Sequence, residues 1–163
     1  MKKIILTIIA LALSISCSFA HWLPESETFV GGVGYGCTLE YVKSIYGEPS
    51  NKRWFNTDGV RGVTYSYGPL FSVTGRTWDK DQKPEGELTV TGYTLKANNL
   101  ATPSGLTVGI PYETVANMYG SVPKWTSHDG RTGYIYEFNH LREMIFYVNS
   151  NGIINEIVFG TDW

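Results

Sequence analysis

Histidine chemistry has few places to start in this chain, which holds only His21, His128 and His140. None of them stands at metal-ligand spacing from a cysteine or from a second histidine. "HDG" at residues 128–130 sets His128 beside Asp129 and raises a metal reading. The matching stretch "TDG" at residues 57–59 has Thr57 in that place, so Asp58-Gly59 and Asp129-Gly130 read as turns, with Asp accepting local backbone bonds and Gly taking positive φ. Glu40 and Glu113 also occupy matching positions, which suggests paired carboxylates. Each falls in the early turn of a short helix, where negative charge complements the helix dipole, and no partner group for acid–base work accompanies it. "GVGYG" at residues 32–36 lacks the Lys-Ser/Thr of a phosphate loop and the spacing of a dinucleotide fingerprint, which leaves an ordered loop ahead of a helix. The chain is therefore expected to be no enzyme, with no cofactor and no metal. The sharpest alternative is a secreted metal-dependent enzyme in which an N-terminal His21 binds copper through its amine and imidazole.

Aromatic residues are the richer resource. They make up 14% of the chain, with eleven Tyr and five Trp, which exceeds what one small core needs and places some on a surface that meets a partner. Trp54 and Trp125 are each preceded by a basic residue and recur at matching positions, so their first reading is structural, as covers of a sheet edge or of the join between two halves. The second reading makes them binding anchors on loops that flank a concave sheet. Phe55, Trp78 and Tyr147 have no counterpart in the other half and are the better binding candidates. Phe55, Trp78, Tyr147, Trp54 and Trp125 together form the candidate binding set. The expected partner is a protein of the cell envelope or outside the cell. Flat aromatic faces also stack on sugars, so a cell-wall or carbohydrate binder is the other alternative.

Export is written at the start. "MKKIILTIIALALSISCSFA" joins Lys2 and Lys3 to an apolar run and ends on small residues, the pattern of a secretory signal peptide cleaved after Ala20. The run is too short to cross a bilayer of about 30 Å, so no transmembrane segment is expected. Lipid attachment at Cys17 is the competing reading, disfavoured because "LSISC" sets Leu13 one place too far from the cysteine. The product is expected to be periplasmic or extracellular, with outer-membrane association as a variant. Loss of Lys2 and Lys3 with no acid changes the net charge from −2 to −4, which leaves no basic patch for nucleic acid. Cys37 then remains the only cysteine, so no internal disulfide holds the fold.

The elements that must position the aromatics follow from an internal repeat. Gly32, Gly36, Glu40, Val42, Tyr46 and Gly47 recur as Gly105, Gly109, Glu113, Val115, Tyr119 and Gly120. After a two-residue adjustment, Trp54, Asp58, Gly59, Gly62 and Tyr65 recur as Trp125, Asp129, Gly130, Gly133 and Tyr136. These eleven identities compare with roughly two expected by chance over the aligned stretch, so a duplication is the economical account. Each copy opens with a short helix. Its apolar stripe is Leu39, Val42, Ile45 and Tyr46 in the first, capped by Thr38, and Tyr112, Val115, Met118 and Tyr119 in the second, with Pro111 as first helical residue. Gly47 and Gly120 supply the stops. Alternation then predicts strands at Val63–Tyr67, Leu70–Thr74 with an extension to Trp78, Leu88–Leu95, Tyr134–Phe138, Met144–Val148 and Ile153–Phe159. Asn151-Gly152 marks a tight hairpin. Each copy reads helix, strand, strand, strand, an α+β unit.

Gly109, Val115, Tyr119-Gly120 and Pro123, followed by an aromatic strand and the hairpin at Asn151-Gly152, resemble the small outer-membrane-assembly lipoproteins of the SmpA/OmlA (BamE-like) type. Two such units in tandem resemble the beta-lactamase inhibitory protein (BLIP-like) architecture. That resemblance implies two helix-plus-antiparallel-sheet repeats building one concave surface. The expected division is residues 1–20 as signal peptide, 21–31 as an N-terminal segment, 32–96 as the first α+β repeat, 97–104 as connector and 105–163 as the second repeat.

Overall fold

The computed structural model describes residues 22–138 and 142–160. The signal peptide, its cleavage after Ala20, the Cys17 lipidation site and His21 lie outside the described residues, as does His140.

Helix α1 (Leu39–Tyr46) starts where the Thr38 hydroxyl accepts the Tyr41 N–H at 3.2 Å, and it stops at Gly47, whose φ of 76° only glycine adopts cheaply. Helix α2 (Tyr112–Tyr119) stops in the same way at Gly120. Pro111 is its N-cap, with ψ at 143°, rather than its first helical residue, because the helical turn begins one residue later. Leu39 and Val42 are buried, as are Tyr112 and Val115, whereas Ile45 and Met118, expected in the same stripes, are exposed. Six residues of helix fall about 120° short of two full turns, which carries both side chains off the face that Leu39 and Tyr112 bury.

Eight strands form one antiparallel sheet: β1 (Asn51–Thr57), β2 (Val60–Ser66), β3 (Phe71–Trp78), β4 (Thr89–Leu95), β5 (Lys124–Thr126), β6 (Thr132–Glu137), β7 (Glu143–Val148) and β8 (Ile154–Gly160). Their spatial order is β1-β2-β3-β4-β8-β7-β6-β5, so each half contributes four consecutive strands and the last strands of the halves pair in the middle. The backbone repeats itself across that join. Gly36 N–H donates to Val90 O at 3.0 Å and Val90 N–H to Cys37 O at 2.7 Å; Gly109 N–H donates to Ile154 O at 2.8 Å and Ile154 N–H to Ile110 O at 2.9 Å. Residues 97–104 contain neither helix nor strand. The architecture is α+β, with four strands in each half where the sequence pattern suggested three. The additional strands are β1 and β5, which hold Trp54 and Trp125 and had read as loops. Both are edge strands whose residues are almost all exposed, so burial imposes no alternation on their sequence.

Both helices lie on one face of the sheet. Val63 of β2 stands opposite Gly75 of β3, and a Cβ built on Gly75 would sit 2.7 Å from Leu39 Cγ and Cδ1 of α1. In the other half Tyr112 of α2 stacks on Tyr134 of β6 with ring centroids 3.4 Å apart. Tyr65, Val73, Leu95, Tyr136, Met144, Phe146, Ile157 and Phe159 fill the layer between helices and sheet. Leu39 occupies the space that a side chain on β3 would need, so Gly75→Ala is expected to cost about 1–3 kcal/mol of stability by overpacking. Urea denaturation measures it; an unchanged midpoint would mean α1 is free to slide.

Candidate functional site

The face opposite the helices is built from cross-strand rows that the register defines. In the first half Phe55, Gly62 and Arg76 stand side by side on β1, β2 and β3. Gly62 leaves room for the Phe55 ring to lie across it, because an added Cβ would collide with Phe55 Cζ, and the Arg76 guanidinium stands 5.5 Å from the centre of that ring. In the second half the same row reads Trp125, Gly133 and Tyr147, with the Trp125 and Tyr147 rings 6.2 Å apart. Phe55 is therefore the positional counterpart of Trp125, and the sequence match of Trp54 with Trp125 is displaced by one residue.

Hairpin geometry explains the displacement. Asp58 and Gly59 both take positive φ, at 52° and 76°, and close β1 onto β2 in a two-residue turn between Thr57 and Val60. The second half spends five residues, Ser127–Arg131, between Thr126 and Thr132, and only Gly130 is left-handed there. His128 and Asp129 sit in that turn, where Asp129 accepts from Ser127 and from Arg131. A slip of one residue changes the face of every side chain on a strand. Trp54 accordingly stands opposite Val63 on the helix side, 47% exposed at the sheet margin, with the Arg61 guanidinium 5.9 Å from its ring.

The five candidate residues thus divide. Phe55, Trp78, Trp125 and Tyr147 belong to the open face; Trp54 does not. Trp78 and Trp125 are 48% and 37% exposed, and Phe55 is half-buried. Tyr147 is only 5% exposed, which corrects its reading as a surface residue. Trp125 leans on it across Gly133, and the Arg131 guanidinium covers its ring at 4.0 Å. Between the aromatic ends the face is mixed, with Thr64 and Thr74 Oγ1 3.0 Å apart in the first half and the row Thr94, Val158, Ile145 and Ile135 continuing across β4, β8, β7 and β6.

Electrostatics differ between the two halves. Arg131 is neutralised by Asp129 and Glu156, each at 2.7 Å, and Glu156 also meets Lys96 at 3.6 Å. Arg76 forms no ion pair among the described residues, its Nε is fully shielded without a hydrogen-bond partner, and burial alone presses its pKa below the usual value. It borders a cavity of about 220 Å³ beside the end of β3, where Trp78, Thr89, Thr91 and Tyr35 also line the wall. Thr91 is displaced by the β-bulge at which the β3–β4 register shifts between Thr74 and Gly75, and its hydroxyl is likewise shielded and unpartnered. Arg76 is legible in the sequence as a same-face neighbour of Trp78 two residues away. Thr91 is not, because a bulge leaves no periodic mark.

On the helix side, Lys52 of β1 pairs with Glu85 at 2.7 Å, and the buried Tyr65 donates its hydroxyl to the same carboxylate. The Lys52 and Tyr65 bonds hold the Glu85 carboxyl below the usual carboxylate range. A depressed folded pKa adds stability that is present above the unfolded value of about 4.3 and is lost as pH falls through the folded one. Glu85→Gln is therefore expected to flatten the acid limb of the stability–pH curve below about pH 4.5, and thermal melts across pH 2–7 would show it. An unaltered acid limb would remove Glu85 from the account. Among the described residues no three of His, Cys, Asp and Glu converge as a metal-holding group, and Cys37 is a free, half-buried thiol.

No family model matches the chain, and no curated protein matches its sequence. Among solved structures, a cysteine-rich secretory protein from Staphylococcus aureus superposes with a TM-score of 0.55 at 13% identity, over 88% of this chain and 48% of that one. The two share a fold, and this chain spans about half the length of that protein. The uncharacterized protein YfeY from Escherichia coli gives 0.48 at 12% identity over 82% and 97% of the two chains. A Streptococcus mutans protein provisionally assigned as a beta-lactamase inhibitor protein gives 0.31 at 12% identity over 82% and 86%. These last two scores fall below the level at which a common fold follows.

Proposed function

We propose that the chain is an exported, non-enzymatic binding module that engages a protein partner through the open face of its sheet. One observation carries this reading: both helices pack on the same face of an eight-stranded sheet, and among the described residues no helix or strand covers the opposite face, where Trp78 and Trp125 are exposed and Phe55 half-exposed at its two ends. Large aromatics set apart around a floor of threonines and aliphatic side chains give a partner anchors at the ends, with hydrogen bonds and apolar contact between them. The signal peptide read from the sequence places that partner in the envelope or outside the cell. The residues that would engage it are Phe55, Trp78 and Trp125, with Tyr147 supporting Trp125 from beneath.

A photo-crosslinker at position 74, mid-face on β3, and one at Tyr41, on the exposed side of α1, test this. Crosslinking of one envelope or extracellular protein from position 74 and none from position 41 is the expected result. Crosslinking from Tyr41 alone would move the interface to the helices. A glycan array run in parallel separates the carbohydrate reading, which requires binding that the open-face variants lose.

A further inference from the structure

We infer that the partner of the open face is a second copy of this chain, turned over so that the first half of each sheet lies on the second half of the other. The inference rests on the reading that the open face binds protein, and it names the occupant. One cross-strand row carries it. From β1 the register runs through Arg53, Thr64 and Thr74 to Gly92 on β4. A Cβ on Gly92 would stand 3.4 Å from Gly160 Cα, so the row crosses there to β8 and continues through Glu143 on β7 to Glu137 on β6. β5 pairs only with Thr132–Tyr134, and beside Glu137 its place is taken by Trp22, which bridges to that residue. Leu23 is buried in the core, so the Trp22 indole, 38% exposed, points to the open face. The row therefore has a cation at one end, a carboxylate and an indole at the other, and bare glycine backbone in the middle.

Charge selects the occupant. The open-face positions of β1–β4 hold Arg53 and Arg76 and no acid, whereas those of β5–β8 hold Glu137, Glu143 and Glu156 and no base. Glu156 is already met by Lys96 and Arg131, but neither Arg53 nor Glu137 has an ion pair among the described residues. A face with opposite signs at its two ends complements itself after half a turn. That is a twofold interface, in which residue i of one copy meets j of the other and j meets i. With the axis along the strands and between Gly92 and Gly160, Arg53 of each copy lies against Trp22 and Glu137 of the other, and Thr64 and Thr74 face the two carboxylates. The guanidinium then gains both a charge pair and an indole to stack on. An axis across the strands would instead set Arg53 on Arg53 and Glu137 on Glu137, which repulsion opposes. Space above Gly160 is open, so the two backbones can approach at the axis with no side chain between them. Size agrees as well. Eight strands about 4.8 Å apart and about six residues long present roughly 750 Å², close to the roughly 800 Å² per partner of a stable interface.

Sedimentation equilibrium of the purified exported chain tests this. A monomer–dimer equilibrium with a Kd of roughly micromolar order is expected in about 20 mM NaCl, and one at least about tenfold weaker in about 500 mM NaCl, because salt screens the end contacts. Arg53→Glu and Glu137→Arg should each weaken self-association at least about tenfold, with circular-dichroism spectra unchanged because both side chains are exposed. Mixing the two variants in equal amounts should restore a dimer of near-parent affinity, since each copy then supplies the charge that the other has lost. A structural defect in either variant would not be cured by mixing. A parent chain that stays monomeric to about 500 μM at low salt, or a mixture that associates no more tightly than its components, overturns the self-pairing. A monomeric chain that crosslinks from position 74 to a different protein overturns this inference alone and leaves the open-face reading standing. Crosslinking from Tyr41 alone overturns both.

Discussion

Tyr136→Ala is expected to lose about 3–5 kcal/mol of folding stability, the largest effect of any single substitution considered. Tyr136 is fully buried, meets Phe146 edge-on with ring centroids 5.8 Å apart, and donates its hydroxyl to the Gly120 carbonyl at 2.6 Å. That carbonyl belongs to the residue that ends α2, so one side chain both fills the core and fixes the helix to the sheet. Tyr112 completes the arrangement, with its hydroxyl 3.2 Å from that of Tyr136 and accepting the Val122 N–H at 3.1 Å. Tyr136→Phe keeps the ring and removes only the hydrogen bonds, so about 1–2 kcal/mol is expected from it. Urea denaturation with an unchanged slope separates the two contributions. Should the Ala variant lose less than about 1 kcal/mol, the helix would have to be held by something other than this contact.

Tyr136 was legible because the duplication and the alternation agree there. Tyr65 and Tyr136 recur at one spacing, lie inside alternating strands and are buried. Where only one signal acted, the reading went astray. "NKRWFNT" has no alternation because β1 is an edge strand with little cover on either face, so nothing in it distinguishes strand from loop. The repeat then matched Trp54 with Trp125 by residue type, although a two-residue hairpin in one half and a five-residue loop in the other put them on opposite faces. Residue identity is conserved across such a slip more easily than orientation. Tyr147 failed for a different reason. Its face was readable, but its burial depends on Arg131 from the loop ahead of β6 and Trp125 from β5, two strands away, folding over it, which no local pattern encodes.

That correction changes which residues test the binding face. Tyr147→Ala would remove a covered ring and is expected to destabilise the fold by at least about 2 kcal/mol, so it says nothing about a surface. The informative combination is Phe55→Ala, Trp78→Ala and Trp125→Ala in one chain. Trp78 and Trp125 expose large parts of their rings, and Phe55 rests on glycine rather than on core side chains, so the triple variant should stay within roughly 2 kcal/mol of the parent. Its affinity for the crosslinked partner should fall by at least about thirtyfold, because aromatic anchors at an interface commonly contribute 2 kcal/mol or more. Trp54→Ala is the internal control. It removes an indole of similar exposure from the adjacent position on the same strand, but from the other face, and should change affinity less than about threefold. Equal losses from Trp54→Ala and from the triple variant, with stability intact in both, would place the interface at the β1 edge, because only the edge is shared by the two faces.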